Sequence, residues 1–288
     1  MPELPEVETL KRELEKALVN KKLKSAKVLW HKTVAPLSVK EFEKQIVGKK
    51  IKSANRQAKI LIIDFTDSTA LAIHLKLTGQ LIFIPKNGQI VSGGHPDKTI
   101  AGEQPNKFTR LIFEFTNGSH LYFNDLRKFG WVRLVDDSGL KDLTKHVGIE
   151  PFSKLFTNKA LVEILRRYPN RTIKQVLLDQ TLIAGIGNIY ADESCFRAKI
   201  LPTRQAKSLK PAEIKKLFSA IVGVLKLAVK KKGTSSDTYR QLSGAPGGFV
   251  PYLNVYGRAG KPCKVCDRPI QKIRHIGRGT HYCAKCQK

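Results

Sequence analysis

The chain opens on a nucleophile beside an acid: Met1-Pro2-Glu3-Leu4-Pro5-Glu6-Val7-Glu8. Once Met1 is removed, Pro2 presents a secondary amine with the Glu3 carboxyl next to it and a helix following at once. No side chain supplies a cyclic secondary amine. When one attacks an aldehyde-like carbon, the product is an iminium with no N–H to lose, so it stays cationic and withdraws electrons. A free α-amino group titrates near about pH 8, and a nearby positive charge lowers that enough to leave an unprotonated fraction at neutral pH. Pro and Glu also suit the first turn of any helix, so the chemistry depends on what the rest of the chain supplies.

A second constellation closes the chain. Cys263-Lys-Val-Cys266 and Cys283-Ala-Lys-Cys286 are two CxxC pairs with 16 residues between them, a spacing suited to four thiolates around one zinc ion. Four thiolates fill a tetrahedral shell and leave no position for water, so this Zn2+ is structural. The intervening 267–282 stretch carries Lys272, Arg274, Arg278 and His281, which suggests a β-hairpin with basic side chains at its turn. Cys195 stands alone in an expected helix, as a small buried apolar residue.

Two further runs are suggestive. Asn124-Asp125-Leu126-Arg127-Lys128-Phe129-Gly130 sets an aromatic among basic residues just past a strand, where Phe129 can enter a base stack while Arg127 addresses the partner of a vacated base. Taken alone, Phe129 is more often a core residue, and Lys59 and His74 suit ordinary strand ends. Leu182-Ile183-Ala184-Gly185-Ile186-Gly187-Asn188-Ile189-Tyr190 places two glycines before an Asn that opens a helix, a turn whose backbone N–H groups can hold a phosphate or simply cap the helix.

The elements that position these residues follow from periodicity. Val7, Leu10, Leu14 and Leu18 predict a helix over 5–19 with one buried face. Strand-like runs follow at 24–30, 60–65, 70–75, 80–84, 110–115, 120–124 and 131–135, with a second helix at 39–46 and a polar surface loop at 85–107. Regular strands without intervening helices point to a β-sandwich or flattened barrel. A linker is expected at 136–148, then helices at 158–167, 172–178, 188–196 and 211–231, then a mobile Ser/Thr/Gly-rich loop at 233–249. The fold class is α+β: an N-terminal β-sandwich catalytic domain (1–135) with flanking helices, a linker (136–150), a helical domain (151–232), a flexible loop (233–254) and the cysteine hairpin (255–288).

The formal net charge of +28 is unevenly spread: residues 1–150 hold 25 Lys+Arg against 17 Asp+Glu, and residues 151–288 hold 27 against 7. An excess of +20 over the second part favours a polyanionic partner, in particular nucleic acid. No basic amphipathic segment with an aromatic face and no apolar run of about 18 residues is present, so a membrane partner is not expected. The start lacks the basic and apolar regions of a secretion signal, which predicts cytoplasmic residence.

Together, the 2–8, 125–130 and 185–193 runs and the stretch from Val255-Tyr256-Gly257-Arg258 to Lys288 resemble the formamidopyrimidine-DNA glycosylase family of bacterial repair enzymes over almost the whole chain. The resemblance implies a helix-two-turn-helix module in the helical domain and a monomer acting on damaged double-stranded DNA without a nucleotide cofactor. It implies removal of oxidised purines such as 8-oxoguanine and formamidopyrimidines, then β,δ-elimination at the abasic site. It assigns Pro2 as nucleophile and Glu3 as proton donor, and places Lys59 and Arg278 with them in the catalytic set. His74, Lys174, Asn188 and Arg278 become DNA-binding phosphate contacts, and Arg127 and Phe129 fill the gap left by the extruded base. Where the family commonly has Met after His-Leu-x, this chain has His74-Leu75-Lys76-Leu77, so the apolar wedge is Leu77. The 233–249 loop would cover the flipped base. Two alternatives stay open: an endonuclease VIII-like enzyme for oxidised pyrimidines, against which Leu4 argues, and a non-catalytic zinc-ribbon nucleic-acid-binding protein.

Overall fold

The structure, a computed structural model, describes residues 1–86, 91–94, 103–234 and 247–288. The backbone separates into two compact units, residues 1–145 with 231–248, and residues 146–230 with 249–288.

In the first unit the elements are α1 (Leu4–Leu18), β1 (Leu23–Val28), α2 (Val39–Ile46), β2 (Ile51–Gln57), β3 (Ile60–Phe65), β4 (Thr69–His74), β5 (Gly79–Ile84), β6 (Val91–Gly94), β7 (Thr109–Phe115), β8 (His120–Asp125), β9 (Trp131–Asp136) and α3 (Asp137–Thr144). The strands form a five-stranded sheet in the order β1-β7-β8-β5-β6 and a four-stranded sheet in the order β2-β3-β4-β9. One core joins them. Leu81, Phe113 and Phe123 from the first sheet and Leu61, Ile63, Leu71 and Ile73 from the second pack with Leu10 and Leu14 of α1 and Phe42 of α2. This is the expected sandwich.

Three local expectations need correction. Residues 137–144, expected within a linker, form α3. The Asp136 side chain caps it by accepting from Gly139 N at 2.7 Å, while Leu140 and Leu143 cover Ile60, Ile62, Ala70 and Ala72 on the outer face of the four-stranded sheet. β2 was not foreseen, because its register shifts between Ile51 and Ser53 and breaks the alternation that marks a half-buried strand. Within the expected 85–107 loop, Val91–Gly94 form β6, paired antiparallel with β5; residues 87–90 and 95–102 of that loop and 235–246 of the 233–249 loop lie outside the described residues.

The second unit holds α4 (Asn158–Arg167), α5 (Ile173–Leu178), α6 (Asn188–Ala198), α7 (Pro211–Lys230) and the hairpin β10 (Gln271–His275) and β11 (Arg278–Tyr282). α6 is buried on nearly every side, from Ile189 through Phe196, so its polar residues must find partners inside the protein. Among the described residues no helix is long and apolar enough to cross a membrane.

Leu14 is fully buried at the centre of the α1 face. Leu14→Ala is expected to cost about 3 kcal/mol through lost apolar transfer and a residual cavity, seen as a lower urea midpoint; an unchanged midpoint would contradict this placement of α1.

Candidate functional site

In the first unit, Pro2 is buried and Glu3, 4% exposed, is the N-cap of α1. Glu3 and Glu6 form a reciprocal capping box, in which Glu6 Oε2 accepts the Glu3 backbone N–H at 2.9 Å. The other Glu6 oxygen accepts Thr234 N at 2.8 Å. The first two residues are therefore held on a rigid helix end whose dipole presents partial positive charge. With Met1 attached, the Pro2 nitrogen is an amide; only removal of Met1 makes it a nucleophile.

Lys59 lies in the β2–β3 turn beside Ala58, which has φ +52°, and is 6% exposed. The turn is braced by Arg56, whose Nε donates to Glu8 of α1 at 3.1 Å and whose Nη1 donates to Ala58 O at 2.9 Å. His74 ends β4. Burial, aided by the charges of Lys76 and Lys59, lowers its pKa to about 3. The Lys76 N–H donates to Nδ1 at 2.9 Å, so the neutral ring carries its proton on Nε2. His74 is thus a neutral donor beside two cations, suited to a phosphate oxygen.

The β8–β9 turn presents Arg127, Lys128 and Phe129 to solvent, with Phe129 53% exposed. That exposure removes the core reading of Phe129. The Arg127 guanidinium lies 4.8 Å over the Phe129 ring and Lys128 Nζ lies 4.2 Å over Trp30. Leu77, in the β4–β5 turn, is half-buried.

In the second unit, Arg278 is exposed at the start of β11, and the turn before it has φ +48° at Ile276 and +72° at Gly277. A β-branched residue in the left-handed region is strained, and the strain is spent on a turn that projects a basic side chain. Asn188 Nδ2 donates to Gly279 O at 2.9 Å, tying the first residue of α6 to β11. The expectation for Lys174 needs correction. It is 0% exposed, and its ammonium donates to Asp192 at 2.6 Å, Thr280 Oγ1 at 2.9 Å and Gly279 O at 3.1 Å. All three protons are used inside the protein, so Lys174 supports the strand that carries Arg278 and does not itself reach a phosphate. The Gly185 N–H is likewise engaged, donating to Gln180 Oε1 at 2.9 Å.

The four cysteine Sγ atoms lie within 4.8 Å of one another, with Cys266–Cys283 at 3.5 Å and Cys263–Cys286 at 3.9 Å. A tetrahedral zinc with Zn–S bonds of about 2.3 Å sets its sulfurs about 3.8 Å apart, so the residues fit the ion. Burial and the neighbouring sulfurs push the Cys286 thiol up to about 12; four thiolates at this spacing need a cation.

Four buried carboxylates were missed from the sequence: Glu6, Asp125, Asp192 and Glu193. Glu193 accepts the N–H groups of Asn254, Val255 and Tyr256 at 2.8–3.0 Å. The available signal was an acid inside an apolar helical stretch, as in Tyr190-Ala191-Asp192-Glu193.

The family model of the formamidopyrimidine-DNA glycosylase N-terminal domain matches residues 1–132, that of its H2TH domain residues 147–240, and that of a zinc finger found in FPG and IleRS residues 260–288. The chain is 40% identical to the formamidopyrimidine-DNA glycosylase of Pelotomaculum thermopropionicum, covering 100% of this chain and 99% of that one. It is 37% identical to that of Listeria monocytogenes, covering 100% of both. Among solved structures, the Lactococcus lactis Fpg bound to abasic-site DNA is similar with a TM-score of 0.87 at 35% identity over 99% of each chain. The same enzyme with DNA containing N7-benzyl-Fapy-dG is similar with a TM-score of 0.87 at 35% identity over 100% of each.

The lowered His74 pKa has a defined consequence. The unfolded chain takes up this proton near pH 6.5 and the folded chain only near about pH 3, so stability is lost as pH falls between them. The His74 ring signals in NMR are expected to stay constant from pH 8 to pH 4.5; a midpoint near pH 6.5 would contradict the buried, neutral assignment.

Proposed function

The chain belongs to the formamidopyrimidine-DNA glycosylase family, and on that footing we propose that it excises oxidised purines from duplex DNA and then cleaves the strand at the abasic site. The observation that carries this reading is the Pro2–Glu3 pair at the capped start of α1, in a unit that also presents Arg127 and Phe129 to solvent.

Basic surface holds the duplex through phosphates, with Lys59 and His74 in the first unit and Asn188 and Arg278 in the second. Leu77, Arg127 and Phe129 occupy the gap left by the everted nucleotide and offset part of an unstacking cost of a few kcal/mol. The Pro2 amine attacks C1′ as the N-glycosidic bond breaks, and the base departs with the bonding electrons and gains a proton. Glu3 gives its proton to O4′ as the sugar opens, leaving a C1′=N+ iminium. Loss of a C2′ proton expels the 3′ phosphate, and a second elimination expels the 5′ phosphate. Water then releases the unsaturated aldehyde from Pro2. The zinc stabilises the hairpin that carries Arg278. We assign catalysis to 1–135, duplex binding to 151–232 and 255–288, and lesion covering to 233–254, in an enzyme of the bacterial cytoplasm and nucleoid.

Borohydride reduction on a duplex containing 8-oxoguanine is expected to trap DNA on the N-terminal peptide of chain lacking Met1. Absence of any adduct from folded, Met1-free protein would sink the assignment. Pro2→Gly should keep DNA binding and slow both base release and strand cleavage, and Glu3→Gln should block base release. Cys283→Ala should lose zinc by metal analysis and weaken duplex binding in a gel-shift titration; retained zinc would contradict the four-thiolate site.

A further inference from the structure

Leu77 and Phe129 lie in different turns, 75–79 and 125–130, yet one pair of side chains joins the turns. Thr78 Oγ1 donates to Asp125 Oδ1 and accepts the Arg127 backbone N–H at 3.0 Å, while Asp125 Oδ1 also faces Arg127 N at 3.1 Å. Asp125 Oδ2 accepts Gly130 N at 2.7 Å and closes the second turn. The first turn closes through Gly79 N, which donates to Leu75 O at 2.8 Å. Both closures need glycine. A Cβ on Gly79 would lie 2.4 Å from Leu75 O, and one on Gly130 would lie 2.7 Å from the Phe123 ring. The two turns share a further feature: the residues before Leu77 and before Phe129 are both left-handed lysines, with φ +50° at Lys76 and +58° at Lys128.

Asp125 is 0% exposed and Thr78 is 7% exposed. From the other side, Arg110 Nε donates to Asp125 O at 2.9 Å, and the Arg110 carbonyl accepts Leu29 N at 2.8 Å and Trp30 N at 3.2 Å. The Trp30 ring in turn carries Lys128. The second turn is thus held at its base and its tip, and its one side-chain link to the Leu77 turn among the described residues is the Thr78 hydroxyl.

We propose that Thr78 and Asp125 are positioning residues that make the two gap-filling turns a single rigid wedge, and that this joint sets which base is accepted opposite the lesion. The inference rests on the excision reading above. An unpaired cytosine offers two acceptors, O2 and N3, to the forked N–H donors of Arg127, whereas adenine sets a donor beside its acceptor. Discrimination between them needs Arg127 held in a fixed place relative to Leu77. The feet of the two turns are paired on both sides, Gly79 opposite Asp125 and His74 opposite Trp131, so loss of the Thr78 hydroxyl leaves the ladders and each turn's own closure in place and frees only the tips, where Arg127 can then adapt to either base.

The test compares native chain, Thr78→Val and Thr78→Ser in single-turnover excision of 8-oxoguanine opposite C and opposite A, and in cleavage of a single-stranded abasic oligonucleotide, which has no opposite base. Native chain should favour C. Thr78→Val should reduce the C-to-A rate ratio by about tenfold, the scale of one buried hydrogen bond, with single-strand cleavage within about twofold of native as the control for folding and chemistry. Thr78→Ser, which keeps the hydroxyl, should restore the ratio. An unchanged ratio in Thr78→Val, an equal loss in Thr78→Ser, or a parallel fall in single-strand cleavage would overturn the proposal. A native chain that excises from neither duplex and traps no DNA with borohydride would instead defeat the excision reading itself.

Discussion

A carboxylate removed from water must fill its lone pairs or cost several kcal/mol, and in this chain the backbone of the functional segments fills them. Glu6 accepts Glu3 N and Thr234 N; Asp125 accepts the two ends of the Arg127–Gly130 turn. Asp192 accepts His281 N in β11 and the Lys174 ammonium; Glu193 accepts three successive N–H groups at 254–256. Glu6, Asp192 and Glu193 each fix a segment far away in sequence, while Asp125 closes the turn that follows it. Since backbone N–H groups cannot be lost by side-chain substitution, these anchors define position more firmly than surface ion pairs, most of which contribute little. The division of labour also suits a protein of net charge +28. These four acids face inward as structural acceptors, where they do not weaken the attraction of the surface for phosphate.

The same economy governs the donors. In a strongly basic protein another surface cation adds affinity without selectivity. His74 is different, because burial and two neighbouring ammonium groups keep it neutral while the Lys76 N–H fixes its tautomer. It offers one directed proton in place of a diffuse charge. Lys174 shows the converse: a lysine in a basic half-chain is engaged wholly inside, where two of its protons brace β11 and the third goes to Asp192 of α6.

Much of this was legible in sequence because it rests on local rules. The 3.6-residue repeat of Val7, Leu10, Leu14 and Leu18 marks α1, which spans Leu4–Leu18, and the apolar run Ile60–Phe65 marks a strand buried on both faces. The cysteine spacing specifies a four-thiolate cluster, which the Sγ positions satisfy. What failed were features decided by distant partners. β2 is a strand because β3 pairs with it across a bulge, and α3 is a helix because Leu140 and Leu143 find the outer face of the sheet. Lys174 reads as a surface cation until Asp192, eighteen positions on, is seen beside it. Phe129 was legible only from its neighbours: its type alone suits a core, but it sits in a basic run ending in glycine, and the turn closed on Asp125 leaves it in solvent.

On the excision reading proposed above, Leu77 bears on how such a wedge works. An unbranched Met loses about 1.5–2 kcal/mol of rotamer freedom when immobilised and Leu about 0.5–1 kcal/mol, so a Leu enters the base stack at smaller entropic cost but adapts less to what it meets. A stiffer side chain transfers more of the fitting to its backbone. In this chain that backbone is a short turn closed by a Gly79–Leu75 hydrogen bond, with a left-handed Lys76 inside it. On that reading Leu77 acts from where the turn places it, and the precision of gap filling lies in the two turns more than in the side chain at their tip.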